Sequence, residues 1–320
     1  MSRASAAGRF APSPSGPLHV GNLRTALLAW LFARSAGASF LLRIDDLDAE
    51  RSRVEHEVGQ LEDLRSLGLD WDGEPLRQST RIGRYADAYQ RLSDAGLLYP
   101  CWCTRAEIRE AARAPHGFGV EGTYPGTCRA LTAAERRSRE RGSRPPAWRL
   151  DAGEHPVTVL DRLHGEQTAV VDDFVVWRGT PLDAAGSCPA YNLAAVVDDA
   201  EQQVGEVVRG DDLLATTPRQ ALLATLLDLP VPVYAHVPLV LGPDGQRLAK
   251  RHGAVSLRDQ RRHGVSVPAL VGWMAHTAGL AAPGEQLTPA ELVGRFDPSA
   301  LPRVPTTYSP SAVRAVATLP

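Results

Sequence analysis

The sequence predicts an α/β protein built on a doubly wound parallel sheet, and three observations support this class. Strand-like and helix-like stretches alternate over the first hundred residues, which is the order expected of parallel strands with crossover helices. The stretch 39–44 is largely apolar, as expected of a strand buried on both faces. Polar residues collect where the first two strands end, and ligands bind at the carboxyl ends of such strands.

Local patterns predict the individual elements. Residues 9–12 form a short strand that ends in a Pro, Ser and Gly turn, and from Gly21 onward apolar residues recur at helical spacing. Residues 54–64 continue as a second helix. Later strands are predicted over 157–160, 168–177, 190–197 and 203–208. After Gly253 the chain is helical and punctuated by prolines.

Composition limits the partners and the compartment. The chain has 320 residues, 43% of them hydrophobic, which suits about two domains of the usual ~100–200 residues. Its formal net charge of −2 gives no global basic field, so contact with nucleic acid requires a local patch. The apolar run 27–33 is too short to cross a bilayer, which takes about 20 residues. We expect a cytoplasmic monomer with no membrane partner and no disulfide framework.

Lys250 is the only lysine among the 35 basic residues, so the other 34 are arginines. It lies in a polar, glycine-flanked loop at 244–253. Lysine is a compact point charge on a flexible stem, whereas arginine is a planar fork, and a loop that brings an ammonium onto a phosphate needs the former. The alternative is a lysine kept by chance on a solvated loop.

The turn after the first strand leads into a helix whose free N–H groups and positive dipole end favour phosphate. His19 lies at the helix entry, where its imidazole can donate to a phosphate oxygen. Gly21 has no side chain, so a flat base or sugar can approach the backbone there. The alternative, which the pattern favours when taken alone, is an ordinary loop that carries a solvated histidine.

Taken together, these segments resemble the class I aminoacyl-tRNA synthetases. Segment 19–22, preceded by the turn 9–16, resembles the HIGH signature of that family, and 247–251 resembles its KMSKS signature with Lys250 at the second lysine. The glutamyl branch in particular is similar over 43–48, 191–194, 197–199 and 208–212. The resemblance covers about residues 8 to 255.

The resemblance implies that the carboxylate of L-glutamate attacks the α-phosphate of ATP, supplied with Mg²⁺, and that pyrophosphate leaves. His19 and Lys250 are the implied catalytic residues, since both suit the developing charge on the phosphates. The implied ATP contacts are His19, Gly21, Asn22 and Lys250. The implied glutamate contacts are Arg9, Phe10, Ala11, Pro12, Ser13, Asp45, Tyr191 and Arg209.

Two arginines, Arg9 and Arg209, are candidates for a bidentate fork that holds the side-chain carboxylate of glutamate. Two positions depart from the branch. Asp45 stands where the branch usually has Glu, which shortens the reach toward the substrate amino group by one methylene. Arg247 replaces the first lysine of the mobile loop.

Three cysteines suggest a metal site. Cys101 and Cys103 face the same way in an extended segment, and Cys128 supplies a third sulfur. A structural zinc ion takes four ligands, and the nearby candidates for the fourth are Tyr124 and His116. Chemistry alone favours His116, because imidazole is the commoner ligand, whereas resemblance to the short relatives of glutamyl-tRNA synthetase favours Tyr124. On that resemblance we expect one structural zinc ion held by Cys101, Cys103, Tyr124 and Cys128. The alternative is three buried apolar cysteines.

The stretch 129–149 holds seven arginines against two glutamates. A local excess of this kind can contact an RNA backbone. The alternative is a solvated helix face in an arginine-rich chain.

Only about 70 residues follow Lys250, whereas a full glutamyl-tRNA synthetase carries a large C-terminal anticodon-binding region. This feature and the cysteine pattern together resemble the short glutamyl-Q tRNA(Asp) synthetases. The resemblance implies glutamyl-adenylate formation and transfer of glutamate to the queuosine base at the wobble position of tRNA(Asp). Two alternatives stay open: a short glutamyl-tRNA synthetase that charges the 3′ end of tRNA, and a non-catalytic RNA-binding relic.

The same resemblance divides the chain into four segments. The two halves of a Rossmann-like catalytic domain are expected over 8–100 and 190–243, with a zinc-containing, acceptor-type insertion over 101–189 between them. The mobile loop and a small helical stem-contact segment are expected over 244–320.

Overall fold

The computed structural model describes residues 6–108, 124–179, 187–253, 255–310 and 313, without the side chain of Lys250. Its strands are β1 (Ala7–Phe10), β2 (Phe40–Ile44), β3 (Leu76–Arg77), β4 (Leu98–Cys101), β5 (Ala147–Leu150), β6 (Pro156–Asp161), β7 (Gly165–Val170), β8 (Phe174–Arg178), β9 (Cys188–Pro189), β10 (Val204–Gly210), β11 (Val233–Val237), β12 (Val240–Leu241) and β13 (Thr306–Thr307). Its helices are α1 (Val20–Ser35), α2 (Val54–Leu67), α3 (Ile82–Asp94), α4 (Ala133–Glu140), α5 (Tyr191–Glu201), α6 (Thr217–Leu226), α7 (Leu257–Arg262), α8 (Val267–Thr277) and α9 (Pro289–Val293).

A mixed sheet in the order β3-β2-β1-β10-β11-β6-β7 organises the described part of the chain. Neighbouring strands from β3 to β6 are parallel, and the hairpin partner β7 is antiparallel to β6. This confirms the predicted α/β class with a largely parallel sheet. Because parallel strands present their carboxyl ends at one edge, β1, β2, β10 and β11 bring their last residues together.

A second, antiparallel sheet runs in the order β4-β5-β8-β9 and carries Cys101 at the end of β4. The hairpin β6–β7 follows in the chain between β5 and β8, yet it pairs with the larger sheet through Asp161 beside Tyr234. Residues 101–189 therefore contribute to both sheets. This arrangement places Asp161 against β11, next to the candidate site.

Helix α1 is the centre of the larger core. Its residues from Val20 to Ala33 are buried with two exceptions, because β1 and β10 cover one side and α8 and α9 the other. Gly8 in β1 permits this contact, since a Cβ there would lie 3.1 Å from that of Ala33. None of the described helices combines the length and the apolarity needed to span a bilayer.

One predicted strand is wrong. Residues 190–197 belong largely to helix α5, although their apolar run also fits a strand. A short buried apolar run does not separate the two conformations, and here tertiary contacts decide. The helix directs Asp198 and Asp199 inward, where they meet arginines from distant segments. The strand predicted over 168–177 is also interrupted, forming the end of β7 and most of β8.

Candidate active site

Arginines and carboxylates compensate each other at the ends of β1 and β2. Nε and Nη2 of Arg9 donate to the two carboxylate oxygens of Asp199 at 3.2 and 3.5 Å. Arg43 donates to Asp45 at 2.8 Å and to Asp199 at 2.5 Å. Burial alone would raise the pKa of Asp199, but Arg9 and Arg43 hold it below its usual value. These charges form a fixed, buried network.

Arg209 at the end of β10 has a different set of partners. Its Nε donates to Nε2 of His236 at 3.0 Å, and Nη1 donates to Oε1 of Gln220 at 2.8 Å. Nη2 donates to Oγ1 of Thr217 at 2.8 Å, and Tyr191 Oη lies 3.4 Å from Nη1. Only 6% of Arg209 is exposed, and among the described residues no carboxylate forms an ion pair with it.

His19 caps helix α1. Its Nδ1 accepts from the backbone N–H of Asn22 at 3.1 Å, and the Asn22 side chain accepts from the backbone N–H of His19 at 3.2 Å. Because Nδ1 is an acceptor, the proton of the neutral ring is on Nε2. Burial lowers the pKa of His19 to about 4, so the ring is neutral near pH 7. His19 can therefore donate from Nε2, as a phosphate contact requires.

Gly21 has a packing role that the sequence did not indicate. A Cβ at this position would lie 3.0 Å from Nδ1 of His19 and 3.3 Å from Cβ of Val240. The glycine thus makes room for the imidazole ring and β12, and this explains it without a ligand. Contacts of Gly21 and Asn22 with ATP stay predictions.

The two motif-like segments lie side by side. The backbone N–H of Val20 donates to the carbonyl of Val255 at 2.7 Å, and the backbones of His19 and Ser256 pair in an isolated antiparallel β-bridge. The backbone of Lys250 lies in a short 3₁₀ turn ahead of this contact, whereas its side chain lies outside the described residues. Arg247 pairs with Asp212, just beyond β10. The fold therefore joins the turn after β1, the loop at 244–253 and the end of β10.

The other predicted glutamate contacts occupy varied surroundings. Phe10 packs in the core of the larger sheet, Ala11 is half-buried and Ser13 is exposed. The carbonyl of Pro12 accepts from the backbone N–H of Asp45 at 3.0 Å, so the ends of β1 and β2 stay paired. Gln60, which sequence reasoning missed, donates to the carbonyls of Ser13 and Gly16 at 3.0 and 2.7 Å.

A cavity of about 1240 Å³ lies between α2 and the start of α7, with His19 in its wall. Acidic residues of α2 face arginines of α7 across it. Its lining includes Glu55, Glu62, Asp63, Arg258, Arg261 and Arg262. Arg9, Asp45, Tyr191 and Arg209 do not line this cavity. We therefore locate the candidate amino-acid site by its chemistry, at the strand ends, and not by cavity size.

The predicted cysteine cluster is assembled. The Sγ atoms of Cys101, Cys103 and Cys128 all lie within 4.8 Å of one another, with 3.5 Å between Cys103 and Cys128. A tetrahedral zinc site with Zn–S bonds of about 2.3 Å places its sulfurs roughly 3.8 Å apart, so these positions fit. Tyr124 Oη lies 3.4 Å from Cys101 Sγ, which makes it available as a fourth ligand. His116 lies outside the described residues.

Arg149 belongs to this cluster. Its Nε donates to Cys101 Sγ at 3.3 Å, its Nη1 donates to the carbonyl of Asp173 at 2.9 Å, and its guanidinium lies 3.7 Å from the Tyr124 ring centre. A buried cation beside Cys101 offsets part of the negative charge that its sulfur would carry as a metal ligand.

The arginines of the stretch 129–149 differ in burial and in partners. Arg149 is buried, and Arg129 forms ion pairs with Asp151, Glu154 and Asp173. Contact of this stretch with an RNA backbone stays a prediction, and Arg129 and Arg149 already have partners within the fold. The exposed members are Arg137, Arg139, Arg141 and Arg144.

The sequence and the fold of this chain are similar to those of known tRNA synthetases. The family "tRNA synthetases class I (E and Q), catalytic domain" matches residues 6–278. A glutamyl-Q tRNA(Asp) synthetase of Nocardia farcinica is 56% identical over 299 residues, 93% of this chain and 92% of the relative. One of Symbiobacterium thermophilum is 47% identical over 321 residues, 97% and 98% of the two chains. A solved glutamate tRNA ligase of Elizabethkingia meningosepticum, in complex with its amino acid, gives a TM-score of 0.80 at 25% identity, covering 98% of this chain and 68% of that one.

Proposed function

This chain belongs to the class I tRNA synthetases of the glutamyl and glutaminyl type and, within them, to the glutamyl-Q tRNA(Asp) synthetases, and we propose that it activates L-glutamate with ATP and transfers it to the queuosine base of tRNA(Asp). The chain is thus an ATP-dependent ligase. Queuosine is its acceptor at the wobble position, and the 3′ end of the tRNA is not.

The observation that carries the choice of amino acid is Arg209. It is a buried guanidinium whose partners within the described residues are the neutral side chains of His236, Gln220, Thr217 and Tyr191. Burial of a charge without a counter-ion is unfavourable, so the site is complementary to an incoming anion. The side-chain carboxylate of glutamate is that anion, and Tyr191 flanks it.

The residues around Arg209 supply the remaining contacts. Asp45, held by Arg43 at 2.8 Å, presents a carboxylate toward the substrate amino group. Backbone atoms of the turn at 10–13, fixed by Gln60, border the amino acid. The α-carboxylate of glutamate then attacks the α-phosphate of ATP. The chain contributes chiefly position and charge stabilisation.

Two side chains act on the phosphates, the neutral imidazole of His19 and the ammonium of Lys250. His19 donates from Nε2, and Lys250 brings a mobile ammonium to the charge that develops as pyrophosphate leaves. Mg²⁺ accompanies ATP and neutralises phosphate oxygens when bound. Gly21 and Asn22 border the nucleotide.

Cys101, Cys103, Cys128 and Tyr124 would hold one structural zinc ion, which would tie β4 to the segment around residue 128. Residues 101–189 then form an RNA-binding insertion, stabilised by the metal, between catalytic halves at 8–100 and 190–243, and its β6–β7 hairpin extends the catalytic sheet. The loop and helices of 244–320 contact the stem.

The test uses three RNA substrates and labelled glutamate. An isolated anticodon stem-loop of tRNA(Asp) that carries queuosine is expected to accept glutamate, and the same hairpin with guanosine is the matched control and is expected to stay unlabelled. The third substrate is tRNA(Glu) without queuosine, whose 3′ end is intact.

The alternatives predict different results. Charging of tRNA(Glu) at its 3′ end, with the queuosine hairpin inert, would make the chain a short glutamyl-tRNA synthetase. Absence of glutamate-dependent ATP–pyrophosphate exchange would make it a non-catalytic relic.

A further inference from the structure

A buried histidine links Arg209 to a carboxylate in a distant part of the chain. His236 on β11 is fully buried and lies opposite Arg209 in the register of β10 and β11. Its Nδ1 lies 2.6 Å from Oδ2 of Asp161, and its Nε2 lies 3.0 Å from Nε of Arg209. Asp161 is the last residue of β6 and is itself buried. Asp161, His236 and Arg209 are thus joined by hydrogen bonds from the β6–β7 hairpin to the candidate glutamate site.

The hydrogen bonds fix the protonation state of the ring. Arg209 Nε is always a donor, so Nε2 of His236 must be the acceptor and the proton must be on Nδ1. Thr217 also approaches Nε2 at 3.0 Å, but its hydroxyl donates to the carbonyl of Leu213 and accepts from Arg209. Burial lowers the pKa of His236, which keeps the ring neutral. The lone pair on Nε2 is therefore directed to Arg209.

Asp161 is suited to hold this tautomer. Its Oδ2 accepts from the backbone N–H and from Nδ1–H of His236, and its Oδ1 accepts from the backbone N–H groups of Leu163 and His164 at 2.9 and 3.0 Å. All four partners are donors. An asparagine cannot replace it, because its amide nitrogen would face at least one of these N–H groups.

We infer that His236 and Asp161 are positioning residues for glutamate recognition: Asp161 orients His236, and His236 holds the guanidinium of Arg209 in the orientation that receives the substrate carboxylate. The inference rests on the proposed activation of glutamate. The histidine occupies Nε, so the ligand must approach the Nη side of the fork, where the partners are the neutral side chains of Gln220, Thr217 and Tyr191. The planar fork binds a carboxylate only in a defined orientation, so freedom to rotate weakens binding.

Two amide variants of His236 separate its positioning role from its packing role. In His236→Gln the amide oxygen reaches the place of Nε2 and can still accept from Arg209, whereas in His236→Asn the amide reaches only the place of Nδ1 and still bonds Asp161. We expect His236→Asn to raise KM for glutamate by about 10- to 100-fold, the loss of one charged hydrogen bond, with kcat and KM for ATP within about twofold. His236→Gln should raise it less than about fivefold. His155→Asn, an exposed histidine before β6, is the control.

The readout is ATP–pyrophosphate exchange at varied glutamate, with unfolding midpoints measured alongside. Equal KM values for glutamate in His236→Gln and His236→Asn, or a smaller increase in His236→Asn, would overturn the inference. The effect of His236 on glutamate binding would then come from filling the core or from its bond to Asp161. Wild-type protein without glutamate-dependent exchange would contradict the proposed function itself, which is a distinguishable failure.

A second measurement needs no variant. In the full-length protein labelled with ¹⁵N-histidine, the His236 ring should give the spectrum of a neutral Nδ1–H tautomer at pH 7, and glutamate should leave that tautomer unchanged. A neutral Nε2–H ring or an imidazolium would overturn the inference, even where His236→Asn folds too poorly to assay.

Discussion

Arg9 and Arg209 are both buried arginines on neighbouring strands, yet their surroundings are opposite. Arg9 at the end of β1 is bidentate to Asp199, which Arg43 also holds. Arg209 at the end of β10 is surrounded by neutral acceptors within the described residues. The contrast teaches that burial and residue type do not define a binding residue. We expect the missing counter-charge to mark it instead: Arg209 would bind the ligand and Arg9 would chiefly stabilise the fold, and the glutamate contact expected of Arg9 stays a prediction.

The strongest test of this contrast is Arg209→Met. It removes the fork from the substrate, and we expect glutamate-dependent exchange to fall by about 10²–10³, the loss of one or two charged hydrogen bonds. The free energy of unfolding should change by less than about 1 kcal/mol, because no buried carboxylate loses its partner. Exchange assays and urea unfolding on the same preparation check both parts. A collapse of stability with near-normal exchange would reverse the roles of the two arginines.

Lys250 extends the comparison to a cation on the glycine-flanked loop at 244–253. Lys250→Ala should lower exchange by ~10²–10³, the usual loss of a charge-stabilising contact in the transition state. Lys250→Arg should restore only part of the rate, because a planar fork does not replace a point charge. Steady-state exchange at saturating glutamate and ATP measures this effect. Unchanged exchange in Lys250→Ala would remove it from the catalytic residues.

Arg9→Met is expected to act mainly on stability. It leaves Asp199 with Arg43 alone, so the free energy of unfolding should fall by ~3 kcal/mol, the low end of the loss for a broken buried ion pair. Urea unfolding measures the loss, and Arg209→Met is the matched control, a buried arginine without a carboxylate. A loss under ~1 kcal/mol, with strongly impaired glutamate binding, would show that Arg9 is instead the substrate fork.

Discrimination between glutamate and glutamine sharpens the comparison further. An uncompensated guanidinium prefers a carboxylate to an amide by ~1.5–3 kcal/mol, the worth of a charged hydrogen bond. Glutamate should therefore be activated about 10- to 100-fold better than glutamine, measured as the ratio of kcat/KM values. Arg209→Gln should lose most of this preference, whereas Arg9→Gln should keep it. Equal rates with the two amino acids in the wild type would contradict the role of Arg209.

The smallest effect on activation is expected from the cysteine cluster, which belongs to the separate sheet β4-β5-β8-β9. Purified protein should hold about one zinc ion, and Cys128→Ser should lose it while exchange changes less than about fivefold. Elemental analysis with exchange assays checks both. If Tyr124→Phe keeps the metal and His116→Ala loses it, the fourth ligand is His116. Protein isolated without chelator and free of zinc would favour three buried apolar cysteines.

Local sequence patterns predicted those helices and strands whose apolar spacing is visible within a few residues. Alternating apolar stretches predicted β1, α1, β2 and α2, because each pattern lies within a few residues. The pairing of Arg9 with Asp199 spans 190 positions, and no local signal announces it. The same limit explains why α5 was predicted as a strand. Its apolar run fits either conformation, and the ion pairs of Asp198 and Asp199 with distant arginines cannot be read from the local sequence.

For the candidate site, the sequence could offer a set of residues but not the partners that distinguish their roles. Resemblance named Arg9 and Arg209 together, whereas only the fold separates them by their partners. His236 and Asp161 lack a motif, and their link depends on the β6–β7 hairpin joining the larger sheet. A polar residue inside the apolar stretch of β11 was the available signal for His236, and it pointed to no particular partner.

The most direct test is a crystal structure of the protein with L-glutamate bound. The account predicts the side-chain carboxylate within hydrogen-bond distance of the Nη atoms of Arg209 and of Tyr191 Oη, with the bonds from Arg9 to Asp199 and from His236 to Arg209 intact. A glutamate carboxylate bound to Arg9, with Asp199 displaced and Arg209 untouched, would contradict it.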